Sequence, residues 1–300
     1  MIAGGRVVLV ATPIGNLGDL SPRAVSVMAE ADVVYCEDTR RTRALLAHAG
    51  VTGVGLMSLH AHNEQARIPQ LLARLAAGET VAVVSDAGMP SVSDPGARLV
   101  VAALGAGASV SVVPGPNAAL GALVVSGLDS ERYCFEGFLP RRGPERRLRI
   151  GVLAADARTS VLYEAPSRVA STLADLAVAA GADRPVAVVR ELTKVHEEVW
   201  RGSLSAAAAA FAAREVLGEV VIVMAGAPPR APAPDSELAE ALAAQVAAGD
   251  SLRDAATTVA RRFGVPRRRV YALALSVRDA GGAEAADVTD VADGPSMGSA

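Results

Sequence analysis

The sequence predicts an α/β protein: two α/β domains followed by a small helical one. Three observations carry that reading. Strand and helix patterns alternate five times in the first ~125 residues, the signature of a mostly parallel sheet with helices on its faces. A second block, residues 132–226, has more strands per helix, as a mixed sheet would. An extended Pro/Ala stretch then separates these blocks from three short helical patterns.

In chain order, residues 6–11 are a continuous apolar run, as in a strand buried on both faces. The run stops at Thr12-Pro13-Ile14-Gly15-Asn16-Leu17-Gly18-Asp19. Ser21-Pro22 reads as an N-cap followed by proline in the first turn, opening a helix to about Glu30. Residues 33–36 form a second strand ending at Glu37-Asp38-Thr39-Arg40-Arg41, and 39–49 a helix closed by Gly50. A third strand, 54–59, ends in His60-Ala61-His62-Asn63-Glu64, and a helix follows to Ala77. The fourth strand, 80–84, breaks into Ser85-Asp86-Ala87-Gly88-Met89-Pro90-Ser91-Val92-Ser93-Asp94-Pro95-Gly96. A helix over 95–106 leads to a fifth strand, 109–113. That strand stops at Pro114-Gly115-Pro116-Asn117 before an Ala-rich helix to Ser126. The first domain is therefore drawn at 1–126.

Gly127-Leu128-Asp129-Ser130 reads as a hinge into a second domain, 127–226. Its strands are expected at 132–138, 159–163, 185–190 and 218–225, with 195–202 pairing antiparallel; its helices are expected at 171–180 and 205–217. A basic loop, 140–147, leads into a further helix. The linker is 227–234 and the helical domain 235–279, where Ser251 and Gly264 bracket a unit of helix-turn-helix type. Residues 280–300 are small, acidic and Gly-rich, and a disordered tail is expected there.

Composition narrows the function. Hydrophobic residues make up 51% and aromatic residues 3%, and the formal net charge is −3. A uniformly basic nucleic-acid surface is excluded; local basic patches are not. Cys36 and Cys134 sit in strand-like runs without metal-ligand spacing and read as buried free thiols in a reducing cytosol. No apolar run reaches the ~18 residues of a membrane span. Residues 1–6 have no leader-like pattern, so a cytoplasmic protein with no membrane partner is expected.

Every strand of the first block ends in a polar or Gly/Pro loop. Five such loops form one rim, where open α/β sheets hold their ligands. The rim has no phosphate cradle. There is no GxxxxGK[ST], the only lysine is Lys194, and Gly15 with Gly18 do not complete a GxGxxG. His60, His62 and Glu64 share a strand end without further ligands, so no metal is expected. The conformationally special loops at 12–16, 86–88, 113–116 and 224–226 let backbone groups approach a flat ligand closely. That suits a nucleoside cofactor without a polyphosphate.

Nine segments then occur in order: residues 11–19, Cys36-Glu37-Asp38-Thr39-Arg40, 85–90, Ser93-Asp94-Pro95-Gly96, Pro114-Gly115-Pro116, Ser126-Gly127-Leu128, Gly137-Phe138-Leu139-Pro140, Tyr163-Glu164-Ala165-Pro166-Ser167-Arg168 and 190–198. Together they resemble the small-subunit ribosomal RNA cytidine 2′-O-methyltransferases of the tetrapyrrole-methylase-like superfamily, over residues 6–226 and the helical C-terminal domain. Met89 and Ala165 stand where other residues are usual. The resemblance implies two α/β domains of tetrapyrrole-methylase type with S-adenosylmethionine in the cleft between them. It also implies a homodimer, and methyl transfer to a ribose 2′-oxygen in the decoding region of 16S ribosomal RNA in the small subunit. By match to the family's loops, Ser85, Asp86, Ala87, Gly88, Pro90, Ser91 and Asp94 border the cofactor. Val113, Pro114, Gly115, Pro13 and Gly15 join them, with Glu164, Ala165 and Ala225 from the second domain.

Methyl transfer from a sulfonium is an in-line displacement, so the protein mainly supplies alignment. A base to take the hydroxyl proton is worth typically ~10²–10⁴-fold. Asp86 and Asp94 are expected to hold the cofactor, and a base to come from another loop: Asp38 and Glu64 are the rim candidates, with Glu37, Glu191 and His196 behind them. An ion pair with an arginine such as Arg40 or Arg190 is the competing reading for each. Lys194 is expected to orient the hydroxyl or hold a phosphate. RNA contact is expected at Arg40, Arg41, Arg141, Arg142, Arg146, Arg147, Arg268 and Arg269, each cluster able to meet phosphates. Two other classes fit the same residues: a tetrapyrrole methylase with a small macrocycle substrate, and a non-enzymatic RNA-binding scaffold.

Overall fold

In the computed structural model, which describes residues 4–229 and 233–273, the five apolar runs of the first block become strands β1 (Arg6–Val10), β2 (Val33–Cys36), β3 (Gly55–Ser58), β4 (Thr80–Val84) and β5 (Ser109–Val113). They form one sheet in the order β3-β2-β4-β1-β5, every pair parallel. Helices α1 (Pro22–Glu30), α2 (Thr39–His48), α3 (Glu64–Ala76) and α4 (Ala97–Gly105) cross between them. Successive strand residues point to opposite faces, and both faces are covered. Val8, Val10, Val34 and Ala82 pack under Ala24 and Met28 of α1 and Leu46 of α2. Val7, Val33, Val81 and Val83 pack under Leu71 and Leu75 of α3 and Leu99 and Ala103 of α4. The runs are continuous rather than alternating for that reason. β5 departs from this, because it is an edge strand with most of its residues exposed.

The fifth helix, α5 (Ala118–Ser126), goes elsewhere. The second sheet holds β6 (Tyr133–Phe138), β7 (Thr159–Glu164), β8 (Pro185–Arg190), β9 (Glu198–Ser203) and β10 (Val220–Met224) in the order β6-β7-β10-β8-β9. Only β6–β7 is parallel. Helices α6 (Pro144–Ala155), α7 (Val169–Ala180) and α8 (Leu204–Ala212) cover one face. Ala119, Ala122 and Leu123 of α5 cover the other, against Val161, Ala187, Val189, Val221 and Val223. A boundary at 126 therefore cuts behind a helix whose packing belongs to the second sheet. The loop after β5 is what joins the two sheets.

Two local expectations need correction. The second-block helix ends at Ala212 rather than 217: Arg214 already turns back to Glu198 and stacks over Phe211. Cys134 is half-buried, its thiol 3.7 Å from Asp156 Oδ2; Cys36 is buried. No helix among the described residues is long and apolar enough to cross a membrane.

The chain divides into two compact units, with the break between Ala227 and Pro228. In the second unit, Leu238 and Leu242 of α9 (Asp235–Ala247) pack with Ala255, Ala256 and Val259 of α10 (Leu252–Phe263) and with Val270. Ser251 caps α10 through the Asp254 N–H, and Gly264 closes it at φ 65. Residues 267–273 are helical. The expected tail at 280–300 and the end of the third helix lie outside the described residues.

Candidate functional site

The loops after β1 and β4 are locked to each other. Thr12 and Gly88 exchange both backbone hydrogen bonds, at 2.9 and 3.0 Å, and the Thr12 hydroxyl donates to the Ser85 carbonyl. Gly88 sits at φ +78, where a side chain is disfavoured and a Cβ would press on Ile14. The neighbouring loops are tied in by similar means. Asp86 Oδ1 accepts the Asp38 N–H at 2.9 Å, and Arg41 stands 3.4 Å from its second oxygen. The Val113 carbonyl accepts the Ala11 N–H, and a Cβ on Gly115 would lie 2.8 Å from that of Ala11. Ser91 and Ser93 hold positive φ angles of 70 and 64, a strained arrangement that concentrates at functional sites.

Two cavities adjoin this rim and share Ile14, Arg41, Asp86 and Ala87 as a wall. The smaller, of about 360 Å³, lies between the β1 loop, including Pro13 and Gly15, and the first turns of α2. The larger, of about 460 Å³, is a cleft between the two sheets. The first sheet contributes Glu37, Asp86, Gly88, Asp94 and Asn117; the second contributes Phe138, Tyr163, Glu164, Ala165 and residues 218–221. Burial pushes the Asp94 carboxyl up to about 6, helped by the charges of Glu37 and Asp86 and opposed by the Ser85 hydroxyl. Glu37 is raised as well, by burial and then by Asp86.

Of the residues expected at the cofactor, Asp86, Ala87, Gly88, Asp94, Glu164 and Ala165 line the larger cleft. Pro13, Gly15 and Ser85 line the smaller one. Pro90, Ser91, Val113, Pro114 and Gly115 line neither and shape the loops behind. Ala225 is misplaced. β10 runs antiparallel to β7, with Val220 opposite Glu164 and Met224 opposite Ser160. The end of β10 therefore lies ~16 Å from the rim, where the Ala225 N–H donates to Pro185 and Gly226 packs on the Ala157 backbone. The start of β10 faces the cleft instead, and reading that strand as parallel to its neighbours would miss it.

The three candidates for chemistry have other partners. Glu64, buried at 7% exposure, accepts the N–H groups of Gly96 and Arg98 at 2.9 Å each. α4 begins at a glycine with no side chain to cap it, so a carboxylate from α3 does so. Asp38 caps α2 through the Arg40 N–H, and the Arg40 guanidinium holds it well below the usual carboxylate range. A carboxylate of such low basicity is a poor proton acceptor. Lys194 is 2.8 Å from Glu191 and 3.2 Å from Glu219; burial opposes its charge, but these two partners outweigh it and hold the ammonium above its ordinary range. Its stem crosses Gly15, where a Cβ would lie 2.3 Å from Cγ. Around it, Glu191 and Thr193 take positive φ angles of 52 and 68.

The arginines divide too. Arg141, Arg142, Arg147 and Arg268 are exposed and in no ion pair among the described residues; Arg40 and Arg41 are exposed beside carboxylates. Arg146 points inward, donating to Asp175, Thr172 and the Pro140 carbonyl. Thr172 in turn donates to Glu164 at 2.6 Å, and Glu164 pairs with Arg168. Arg146 is therefore part of a buried network under the cleft rather than an RNA contact. Arg269 is engaged by Asp235 and the Ala233 carbonyl. Among the described residues no group of three or more His, Cys, Asp or Glu side chains could hold a metal ion.

Residues 6–208 match the family model of the tetrapyrrole (corrin/porphyrin) methylases, and 232–278 that of the RsmI C-terminal HTH domain. A ribosomal RNA small subunit methyltransferase I from Mycobacterium tuberculosis is 47% identical over 94% of this chain and 99% of its own. One from Synechocystis is 43% identical over 91% and 98%. One from Thermotoga maritima is 43% identical over 74% of this chain and 99% of its own. Among solved structures, the cobalt precorrin-4 methyltransferase CbiF superposes with a TM-score of 0.57 at 18% identity, over 74% of this chain and 94% of that one. The uroporphyrin-III C-methyltransferase from Thermus thermophilus, in complex with S-adenosylhomocysteine, does so with 0.52 at 22% identity, over 74% and 97%. These structures share the fold.

Proposed function

The chain belongs to the tetrapyrrole methylase family, in the branch of the ribosomal RNA small subunit methyltransferases I, and from that premise we propose that it methylates the ribose 2′-oxygen of a cytidine in the decoding region of 16S ribosomal RNA, with S-adenosylmethionine as donor. The observation that carries the reading is the larger cleft. A volume of about 460 Å³ falls in the range of small-molecule sites. Its walls combine an apolar slot, Ile14, Val220 and Val221, with the carboxylates of Glu37, Asp86, Asp94 and Glu219. That set suits a flat nucleoside carrying a cationic sulfonium and an ammonium group.

When bound, S-adenosylmethionine supplies an already electrophilic methyl group. The chain's part is then alignment and electrostatics. Asp94 and Glu37 face the cation with negative charge. The locked Thr12–Gly88 bridge keeps the β1 and β4 loops at fixed separation. With Asp38 and Glu64 committed to helix caps, neither is assigned the proton-accepting role. Lys194, held over Gly15 as a cation, orients the incoming nucleotide. Exposed Arg40, Arg41, Arg141, Arg142, Arg147 and Arg268 meet RNA phosphates.

The protein acts in the cytoplasm as a homodimer under this proposal. Val101 and Leu104 on α4, and Leu120 and Val124 on α5, leave exposed apolar stripes that support a second copy. A macrocycle substrate has weaker support, since the structures named for such substrates share the fold at 18% and 22% identity.

Incubating the protein with labelled S-adenosylmethionine and undermodified small subunits, then mapping the label, tests the assignment. One 2′-O-methylated cytidine in the small-subunit RNA is expected. Label on a base, or none in RNA, overturns it.

A further inference from the structure

Phe138 is the most exposed Phe, Tyr or Trp among the described residues, at 57%, and it stands at the mouth of the larger cleft. Its position is built rather than incidental. The register of β6 against β7 shifts between Phe135 and Gly137, leaving Glu136 as the extra residue of a bulge. In a regular strand, residues three apart point to opposite faces. The inserted residue reverses that, so Phe135 and Phe138 fall on the same side. Both rings meet Tyr163, at centroid distances of 4.9 and 5.6 Å. Gly137 makes the bulge possible at φ +61, and a Cβ there would stand 3.4 Å from Ser93 Oγ, on the loop of the first sheet that lines the cleft.

The segment that follows is held firmly. Arg168 donates to the Leu139 carbonyl and Arg146 to the Pro140 carbonyl, both at 3.2 Å. The exposed phenyl is thus held on a pinned support where it lines the cleft. Behind it, the slot is closed by Val220 and Val221, at 3% and 5% exposure. A cofactor filling that slot leaves the ring facing what arrives from solvent. Arg141 and Arg142, exposed and in no ion pair among the described residues, follow three and four positions later. An aromatic face beside two free guanidinium groups matches a base and its flanking phosphates.

We propose that Phe138 is the stacking platform for the base of the acceptor nucleotide, with Arg141 and Arg142 holding adjacent phosphates. This rests on the reading of the cleft as an RNA methyl-transfer site. The test is steady-state methylation of undermodified small subunits by the full chain, with S-adenosylmethionine affinity measured separately by calorimetry. Phe138→Ala is expected to lower kcat/KM for small subunits roughly 10- to 100-fold while leaving the S-adenosylmethionine Kd within about twofold. Phe138→Tyr restores the rate and Phe138→Leu does not, because stacking needs a ring and packing needs only bulk. Three results overturn the proposal: Leu serving as well as Phe, Ala raising the cofactor Kd instead, or Ala leaving kcat/KM unchanged. A wild-type chain that transfers no methyl group to the RNA overturns the functional reading and this proposal with it, whereas transfer by wild type with an unaffected Ala variant overturns this proposal alone.

Discussion

The two sheets present their rims to the cleft in different ways. In the first, all five strands run parallel, so every loop that follows a strand lies on the same side. In the second, β10 and β9 reverse direction, so the rim mixes strand ends with strand beginnings. The cleft is lined by residues between Asp86 and Asp94 after β4 on one side, and by Glu164 at the end of β7 together with residues 218–221 at the start of β10 on the other. Direction, rather than residue type, decides which glycine-bearing segment of the second sheet reaches the cleft.

The largest effect that can break this comparison belongs to the far rim. A Cβ on Gly226 would meet the Ala157 carbonyl oxygen at 1.9 Å. Gly226→Ala should destabilise the fold by about 1–3 kcal/mol, as overpacking does, seen in thermal melts. Per folded molecule, its S-adenosylmethionine affinity should be unchanged; a loss would return the end of β10 to the site.

Asp86→Ala comes next. It removes both a cleft carboxylate and the acceptor of the Asp38 N–H. S-adenosylmethionine binding should weaken about tenfold, the scale of one lost charge-assisted hydrogen bond, and RNA binding less. Equal losses would make Asp86 a purely structural tie.

The subtlest effect is in pH. Asp94 is held up to about 6, first by burial and then by Glu37 and Asp86. A cationic ligand favours the ionised form, so affinity should climb as pH rises through about 6 and level off above it. Asp94→Asn should flatten that climb. Stability runs the other way. A carboxyl raised in the fold contributes stability below its ordinary value of 3.8, and that contribution is lost as pH rises through about 6. The melting temperature of Asp94→Asn relative to wild type should therefore rise across that window, and a pH-independent gap would remove Asp94 as the titrating group.

Legibility followed the same division. Continuous apolar runs ending in Gly/Pro loops placed the parallel sheet, because strand order does not change which end carries the loop. By that logic Asp86, Gly88 and Asp94 belong on the rim, and all three line the cleft. It failed at Ala225, since apolar periodicity does not encode strand direction. It offered Glu64 and Asp38 as base candidates with an ion pair as the competing reading, and Arg146 as an RNA contact; in the fold Glu64 and Asp38 satisfy helix ends and Arg146 joins a buried network. Spacing cannot show that α4 starts at a glycine and needs Glu64 from α3, nor that Arg146 falls on the inward face of α6. Phe138, within the segment Gly137-Phe138-Leu139-Pro140, carried no role in the sequence reading, because a bulge invisible in the residue pattern reverses its face.

Every residue that lines the cleft belongs to the first compact unit. The α/β unit is therefore where cofactor binding belongs in this account. Amide hydrogen exchange of the full chain with and without S-adenosylmethionine tests this most directly. Protection is predicted at residues 86–94, 163–165 and 218–221, with none at 224–227. Protection at 224–227 without any at 218–221 would contradict the assignment of the cleft.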